Sequence, residues 1–334
     1  MKLVNRVRIL VLVFVAGGVA VADGPPAVVP APQQLAPGVW MIPGGIQPDR
    51  QPDGNSVVFE VPAGLVVVDT GRHAWHSEAI LALARAQDES IVAIVNTHWH
   101  LDHVSGNPTL RAAYPGLRVY ASGAIDDALT GFLAESAKDS ASYLENAQIP
   151  VATREDIQGD LRTIANGAAL RPDVLVERSA TMAVGGRSLQ VHLAADAVTA
   201  GDLWLYDPAS KVAVLGDLVT LPAPFLDTAC PDGWLAALES VATAPFELAI
   251  PGHGAPMSRE QFQWYRGAFA AFIDCADSAA PGTACAKQWA IQVQPLLSDV
   301  ATDAPRARRM AEYYVGMLRE NGGHSGHCAA PGRN

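Results

Sequence analysis

Hydrophobic positions along this chain change period several times, and each change marks an element. Short apolar runs at 39–43, 56–61 and 65–69 read as strands, and Pro62-Ala63-Gly64 joins the last two as a hairpin-like turn. From 75 to 87 the spacing becomes helical, with Ile80, Leu81, Leu83 and Ala84 forming one stripe. Apolar runs at 91–95 and 117–121 return to strand character, and 125–166, richer in charge and alanine, predicts two or three helices. A second strand set follows at 174–177, 180–184, 188–193, 203–206 and 212–215, with a further strand at 248–250. Helices are expected at 233–242, 258–275, 285–297 and 304–320. Two strand sets with helices between and after them predict an α/β fold of two sheets sandwiched by helices.

The first residues follow a different pattern. Lys2, Arg6 and Arg8 precede an apolar stretch at 9–21 that ends in the small-x-small site Ala20-Val21-Ala22. This is the pattern of a secretory signal peptide over 1–22, with cleavage expected after Ala22 and a periplasmic or secreted location. The stretch is shorter than the ~20 residues a membrane span needs and is broken by Gly17-Gly18, so no stable span is expected after processing. A Pro- and Ala-rich leader at 23–37 precedes the main domain at 38–272. A helical extension at 273–322 and a flexible Gly- and Ser-rich tail at 323–334 complete the expected organisation.

The net charge of −11 argues against a nucleic-acid partner, since phosphate binding needs a basic face, and says little about the small-molecule substrate expected on other grounds. All four cysteines lie in the last third of the chain, which in an exported protein favours disulfides. Cys275 and Cys285 bracket a short loop containing Pro281-Gly282 and can close on each other, leaving Cys230 for Cys328.

Candidate chemistry concentrates in Thr97-His98-Trp99-His100-Leu101-Asp102-His103, directly after a buried strand. The chain has nine histidines, and three of them in one loop is hard to ascribe to chance. In an extended segment His98 and His100 face the same way, and a turn after them can aim Asp102 and His103 at a neighbouring point. Imidazole and carboxylate together suit zinc and similar cations. Three more pieces follow strands, where loops can converge: Asp69-Thr70-Gly71, Gly216-Asp217 and Pro251-Gly252-His253-Gly254. Singly each is weak, since a carboxylate after a strand is usually a turn or cap; their joint order carries the weight.

In that order the chain resembles the metallo-β-lactamase superfamily. Its signature of Asp-x-Gly, His-x-His-x-Asp-His, a third-motif His, Gly-Asp and Gly-His falls on Asp69, on His98, His100, Asp102 and His103, on Asp217 and on His253. The resemblance implies an αββα four-layer sandwich with metals at one edge and one or two zinc ions. It places His98, His100 and Asp217 at one ion, and Asp102, His103, His253 and the bridging Asp217 at the other. It implies Asp102 and Asp217 as catalytic groups and Asp69 and Thr97 as groups that orient the imidazoles. Trp99, Leu221, Pro222 and Phe225 are candidate pocket walls.

One expected ligand is absent. The third-motif His falls on Val198, which cannot bind a metal, so the His98–His100 site is expected to be weaker. Asp196, in the same loop, is the candidate substitute; His192, His73 and His76 are weaker ones, since His192 is expected to pack or bond locally and His73 and His76 to be solvated at a helix start, and His324 and His327 are expected to be disordered. The activity implied is metal-dependent hydrolysis of an ester, lactone, thioester, amide or phosphodiester. Exported true β-lactamases of this fold typically carry Cys or Ser where Asp217 stands, and Asp217 looks more like hydroxyacylglutathione hydrolases and lactonases. An exported branch that accompanies quinoprotein dehydrogenases is similar too. Loss of the third-motif His counts against an iron persulfide dioxygenase. The rival class is a metal- or ligand-binding protein of the same fold without turnover.

Overall fold

The computed structural model describes residues 29–328, so the expected signal segment, the first residues of the leader and the end of the tail lie outside the described residues, while the rest of the leader is described. The first sheet contains β1 (Gln33–Ala36), β2 (Val39–Ile42), β3 (Ser56–Val61), β4 (Gly64–Val68), β5 (Ile91–Val95), β6 (Arg118–Ala121) and β7 (Val174–Leu175), in that spatial order. β1 to β4 pair antiparallel, and β4 to β7 pair parallel. The second sheet contains β8 (Ala180–Val184), β9 (Arg187–Ala194), β10 (Asp202–Asp207), β11 (Val212–Thr220), β12 (Leu248–His253) and β13 (Met257–Ser258). Its strands pair antiparallel except for the parallel β11–β12 pair.

Helices cover the outer faces. Beside the first sheet are α1 (Ala74–Gln87), the single turn α2 (Leu101–Val104), α3 (Asn107–Ala113), α4 (Ala124–Thr130), α5 (Phe132–Tyr143) and α6 (Val151–Ala165). Beside the second are α7 (Pro231–Thr243), α8 (Arg259–Asp277), α9 (Gly282–Val293) and α10 (Val300–Glu320). None of the described helices is long and apolar enough to cross a membrane.

Three apolar layers follow from this order. Between the sheets, Val57, Phe59, Val66 and Val95 meet Val191, Leu203, Leu205 and Ile250. The alternate residues of the first sheet, Val58, Leu65, Val67 and Ile94, pack on Ile80 and Leu83 of α1. The far face of the second sheet packs Trp204, Ala213 and Leu215 against Trp234, Phe269, Trp289 and Tyr314 from α7 to α10. Helix, sheet, sheet, helix is the αββα order expected.

Differences from the sequence reading are local. β11 runs on to Thr220 rather than stopping at Leu215, because Gly216, at φ 52°, bends the strand and shifts its register against β12 instead of ending it. A Cβ at Gly216 would also lie 2.6 Å from the Thr97 side chain, so this close approach of the two sheets needs glycine. Both expected disulfides form, Cys275 with Cys285 and Cys230 with Cys328. The tail residues His324 and His327 are held rather than loose. His324 bonds Ser325 O, and His327 packs edge-on against Phe132, with its ring centroid 5.1 Å away.

Candidate metal centre

Strand ends bring the chemistry together. Asp69 follows β4, the His98–His103 loop follows β5, Asp217 lies in β11, and His253 closes β12. The two sheets are tied here, since Leu203 N donates to Thr97 O at 2.6 Å. After His100 the chain turns at once into α2, which carries Asp102 and His103 back toward the same point. Asn55 fixes the opposite wall: its side-chain amide donates to Pro251 O and Gly254 O, and its backbone N–H donates to Gly252 O.

Hydrogen-bond directions decide which ring nitrogens are free. Asp69 accepts from the Thr97 backbone N–H and from the Thr97 hydroxyl, which donates to Oδ2 at 2.6 Å. The Thr97 hydroxyl has one proton, so it accepts from His98 Nδ1–H at 2.9 Å and leaves His98 Nε2 bare. Asp69 Oδ2 also accepts from His103 Nδ1–H at 2.8 Å, which leaves His103 Nε2 bare. Thr228 donates its hydroxyl to Val198 O at 2.8 Å, so it accepts from His100 Nε2–H at 3.0 Å and leaves His100 Nδ1 bare.

The bare atoms face one another. His98 Nε2 and His100 Nδ1 are 2.9 Å apart, and His103 Nε2 is 3.3 Å from His253 Nε2. Lone pairs at such separations repel unless a cation or proton lies between them. Asp217 stands at the middle. Its Oδ1 is 3.2 Å from His103 Nε2 and 3.5 Å from His253 Nε2, and its Oδ2 is 3.6 Å from His98 Nε2 and 3.9 Å from His100 Nδ1. Asp217 Oδ1 is buried and accepts no hydrogen bond. Asp102 Oδ2 lies 3.1 Å from His253 Nε2. His98, His103 and Asp217 form one group with ligand spacing, and Asp102, His103 and His253 form another. An orphaned carboxylate oxygen among bare imidazole nitrogens fits a divalent cation.

Electrostatics separate His98, a ready neutral ligand, from His103 and His253, whose extra proton a cation would have to displace. Burial, with His103 and His100 beside it, holds His98 well below the ordinary histidine range, as a neutral ligand requires. For His103 burial acts downward, but Asp217, Asp69 and Asp102 outweigh it and drive the ring well above that range. His253 is raised against its burial by Asp217 and Asp102. Asp217 is held well below the usual carboxylate range, because His253 and His103 outweigh the cost of burying it.

The candidate substitute ligands fall elsewhere. Asp196 is exposed, in a left-handed turn at φ 54° after β9, and lies outside this cluster. Val198 is fully buried and contributes only its carbonyl. What fills that corner is Thr228, 128 residues after His100, which the sequence reading missed. His192 stacks flat on Trp204 with centroids 3.8 Å apart. His73 and His76 are buried rather than solvated; His73 Nδ1 bonds Asp53 and His76 Nε2 bonds the Ser56 hydroxyl.

A cavity of about 250 Å³ opens beside the centre. Trp99, Leu221, Pro222 and Phe225 line it as expected, joined by Phe132, Tyr314 and the polar residues Arg72, Asp160 and Asp227. Arg72 Nη1 grips both oxygens of Asp160 at 2.6 Å, while Nη2 lies 3.8 Å from Asp102 Oδ1.

The comparisons with known proteins agree with this geometry. A linear primary-alkylsulfatase from Pseudomonas sp. is 25% identical over 223 residues, covering 60% of this chain and 41% of that protein. A hydroxyacylglutathione hydrolase from Gloeobacter violaceus is 66% identical over 32 residues, 10% of this chain and 13% of that one. The chain therefore spans less than half the length of these relatives. Among solved structures, an inverting sec-alkylsulfatase from Pseudomonas sp. superposes with a TM-score of 0.58 at 19% identity, over 88% of this chain and 51% of its own; this likeness speaks to the fold alone. The family model for the metallo-beta-lactamase superfamily matches residues 50–253. Since that match spans more than half of the chain, from the loop before β3 to the last histidine of the cluster, the chain belongs to the metallo-beta-lactamase superfamily.

Proposed function

We propose that this chain is an exported, zinc-dependent hydrolase of a carboxylic ester, lactone or thioester. The observation that carries the reading is the set of bare nitrogens on His98, His100 and His103, with His253 Nε2 3.3 Å from the last, gathered around the unsatisfied Asp217 Oδ1. His98, His100 and Asp217 would hold one ion; Asp102, His103, His253 and the shared Asp217 would hold the other. When bound, zinc lowers the pKa of water from about 15.7 toward about 7 and polarises a scissile carbonyl. Asp102 and Asp217 would orient the attacking water and take its proton. Asp69 and Thr97 lock the tautomers of His98 and His103, and Thr228 locks that of His100. Trp99, Leu221 and Phe225 would exclude water from the acyl portion.

Thioester and ester cleavage is favoured over other bonds by Asp217 and by the short, highly identical match to a hydroxyacylglutathione hydrolase. The longer match to an alkylsulfatase makes sulfate esters the second reading. Export is supported by the basic and apolar N-terminal pattern together with two disulfides, which persist in oxidising compartments. The test is to count metals per chain in the zinc-loaded protein. An ester, a lactone, a thioester, nitrocefin and an alkyl sulfate are then assayed with and without chelator. Chelator-sensitive cleavage of the acyl substrates is expected; sulfate-only turnover moves the assignment to the second reading. No metal and no turnover would leave a ligand-binding protein of this fold.

A further inference from the structure

Asp227 is the carboxylate of the cavity that the metal chemistry leaves unused. Asp102 and Asp217 face the histidines, and Asp160 is gripped by Arg72. Among the described residues Asp227 makes no ion pair; its two oxygens accept from Tyr313 Oη at 3.3 Å and Tyr314 Oη at 3.0 Å, both on α10. Burial pushes its carboxyl above the usual range, against the pull of those hydroxyls and of the His100 and His327 rings. A carboxylate in such a place is costly unless a cation joins it.

Its surroundings are those that receive a cation. Phe225, two residues away, packs edge-on at 5.1 Å from the His100 ring and at 6.4 Å from the Tyr314 ring. Trp99 and Phe132 continue the aromatic wall, their rings 5.6 Å apart. Carboxylate and aromatic faces together attract ammonium groups, the first by charge and hydrogen bonding, the second through the ring quadrupole. Arg72, the arginine of the lining, is already committed to Asp160. The next residue, Thr228, touches His100, so the Asp227 carboxylate and the metal centre belong to one compact cavity.

We infer that Asp227 and the aromatic wall recognise an ammonium group, so that the substrate is an acyl ester or thioester with a cationic amine close to its scissile bond. This names the substrate class of the proposed hydrolase and rests on that reading for its reaction, though not for its binding. The same carboxylate would disfavour substrates with an anionic substituent there.

The test uses the full chain loaded with zinc and three thioacetates of matched shape: acetylthiocholine, its neutral isostere 3,3-dimethylbutyl thioacetate, and the anionic 2-sulfonatoethyl thioacetate. Expected is a kcat/KM ratio of cationic to neutral substrate of about tenfold or more, since a quaternary ammonium with no N–H is held by the carboxylate's charge and the ring quadrupole alone, with the anionic one lowest. In Asp227→Asn that ratio falls toward one whatever the absolute rates, and in Asp227→Glu part of it returns. Equal rates on the cationic and neutral substrates, or a preference that survives Asp227→Asn, would overturn the inference. If none of the three is cleaved, calorimetric binding of choline against 3,3-dimethylbutanol decides it separately. Choline bound by the original chain and lost in Asp227→Asn keeps the cation site while the hydrolase reading fails; no choline preference removes the site.

Discussion

Thr228 Oγ1 accepts the Nε2–H of His100 at 3.0 Å and passes its own proton to Val198 O at 2.8 Å. The position where a third-motif histidine is expected thus supplies a carbonyl to hold a threonine, and the threonine holds a ligand ring. The His98–His100 site keeps two oriented nitrogens although it lacks its third imidazole.

Thr228→Val removes that acceptor and frees His100 to place its proton on the nitrogen that should bind metal. The expected loss in affinity at this site is about 10- to 100-fold, the usual effect of deleting a partner of a ligating imidazole. Competition against a chromophoric chelator measures it. Thr228→Ser should restore most of the loss, and affinity at the Asp102–His103–His253 site should hardly change. An unchanged titration for Thr228→Val would show that the hydroxyl orients nothing.

Gly252 tests the shared carboxylate. A Cβ there would lie 2.0 Å from Asp217 Oδ1 and 2.7 Å from the carbonyl carbon of Gly216, so Gly252→Ala must move Asp217 or the strand that carries it. If Asp217 serves both ligand sets, as the proposed function has it, both metals should weaken together. Activity is expected to fall by more than about 100-fold, as ångström-scale misplacement of a reacting group does. Metal analysis beside a circular dichroism spectrum separates this from simple unfolding. Retention of one ion at full affinity would contradict the bridging role.

How much of this was legible follows from the range of each signal. His98, His100, Asp102 and His103 could be read because their spacing is local and the apolar run at 91–95 fixes the strand that presents them. Asp217 and His253 could be read for the same reason, at the ends of runs that the core requires to be apolar. Thr228 and Asn55 carry no such mark: each is a single polar residue in an irregular segment, and its meaning comes from partners far away in sequence. Asp196 misled because proximity in sequence to Val198 says nothing about direction, and a left-handed backbone turns it outward. His73 and His76 looked solvated because Asp53, Asp156 and Ser56, which bury them, lie on other elements. The tail looked loose although its disulfide was expected, because the Ser325 N–H bond to Ala229 O and the His327 ring contact with Phe132 are long-range.

Arg72 links a candidate ligand to the helix above the cavity. Its guanidinium holds Asp160 of α6 through two 2.6 Å contacts, donates to Pro52 O, and lies 3.8 Å from Asp102. Breaking a buried pair from one side leaves Arg72 with only the more distant Asp102, so Asp160→Asn should cost about 3 kcal/mol of stability. Replacing both, as in Arg72→Met with Asp160→Leu, should cost less than either single change suggests, since no charge is stranded. Urea unfolding of the four proteins gives the cycle. Strict additivity would mean that Arg72 and Asp160 are only neighbours.

His73 and His76 should titrate in opposite directions although they are three residues apart. Burial acts downward on His73, but Asp156 at 3.2 Å and Asp53 at 2.8 Å outweigh it, and its value lies above the ordinary one. His76 has no such partner: burial lowers it to about 4, its Nε2 bonds the Ser56 hydroxyl, and its Nδ1 is buried without a hydrogen bond. The signs differ accordingly. What protonated His73 contributes is complete below about pH 6.5 and disappears as pH rises through its folded value. His76 folds neutral while the unfolded chain protonates near 6.5, so it withdraws stability as pH falls from there toward 4, by roughly 3 kcal/mol in total. In nitrogen-15 spectra of labelled histidine, with the two signals assigned by their loss in His73→Gln and His76→Phe, the His73 ring should still be charged above pH 6.5 and the His76 ring still neutral at pH 5. His76→Phe, which cannot take up a proton, should flatten the acid limb of the stability curve while lowering its plateau through loss of the Ser56 bond. If the two rings instead titrate together near 6.5, then Asp53 and Asp156 do not hold His73 charged, and His76 is not sealed from water.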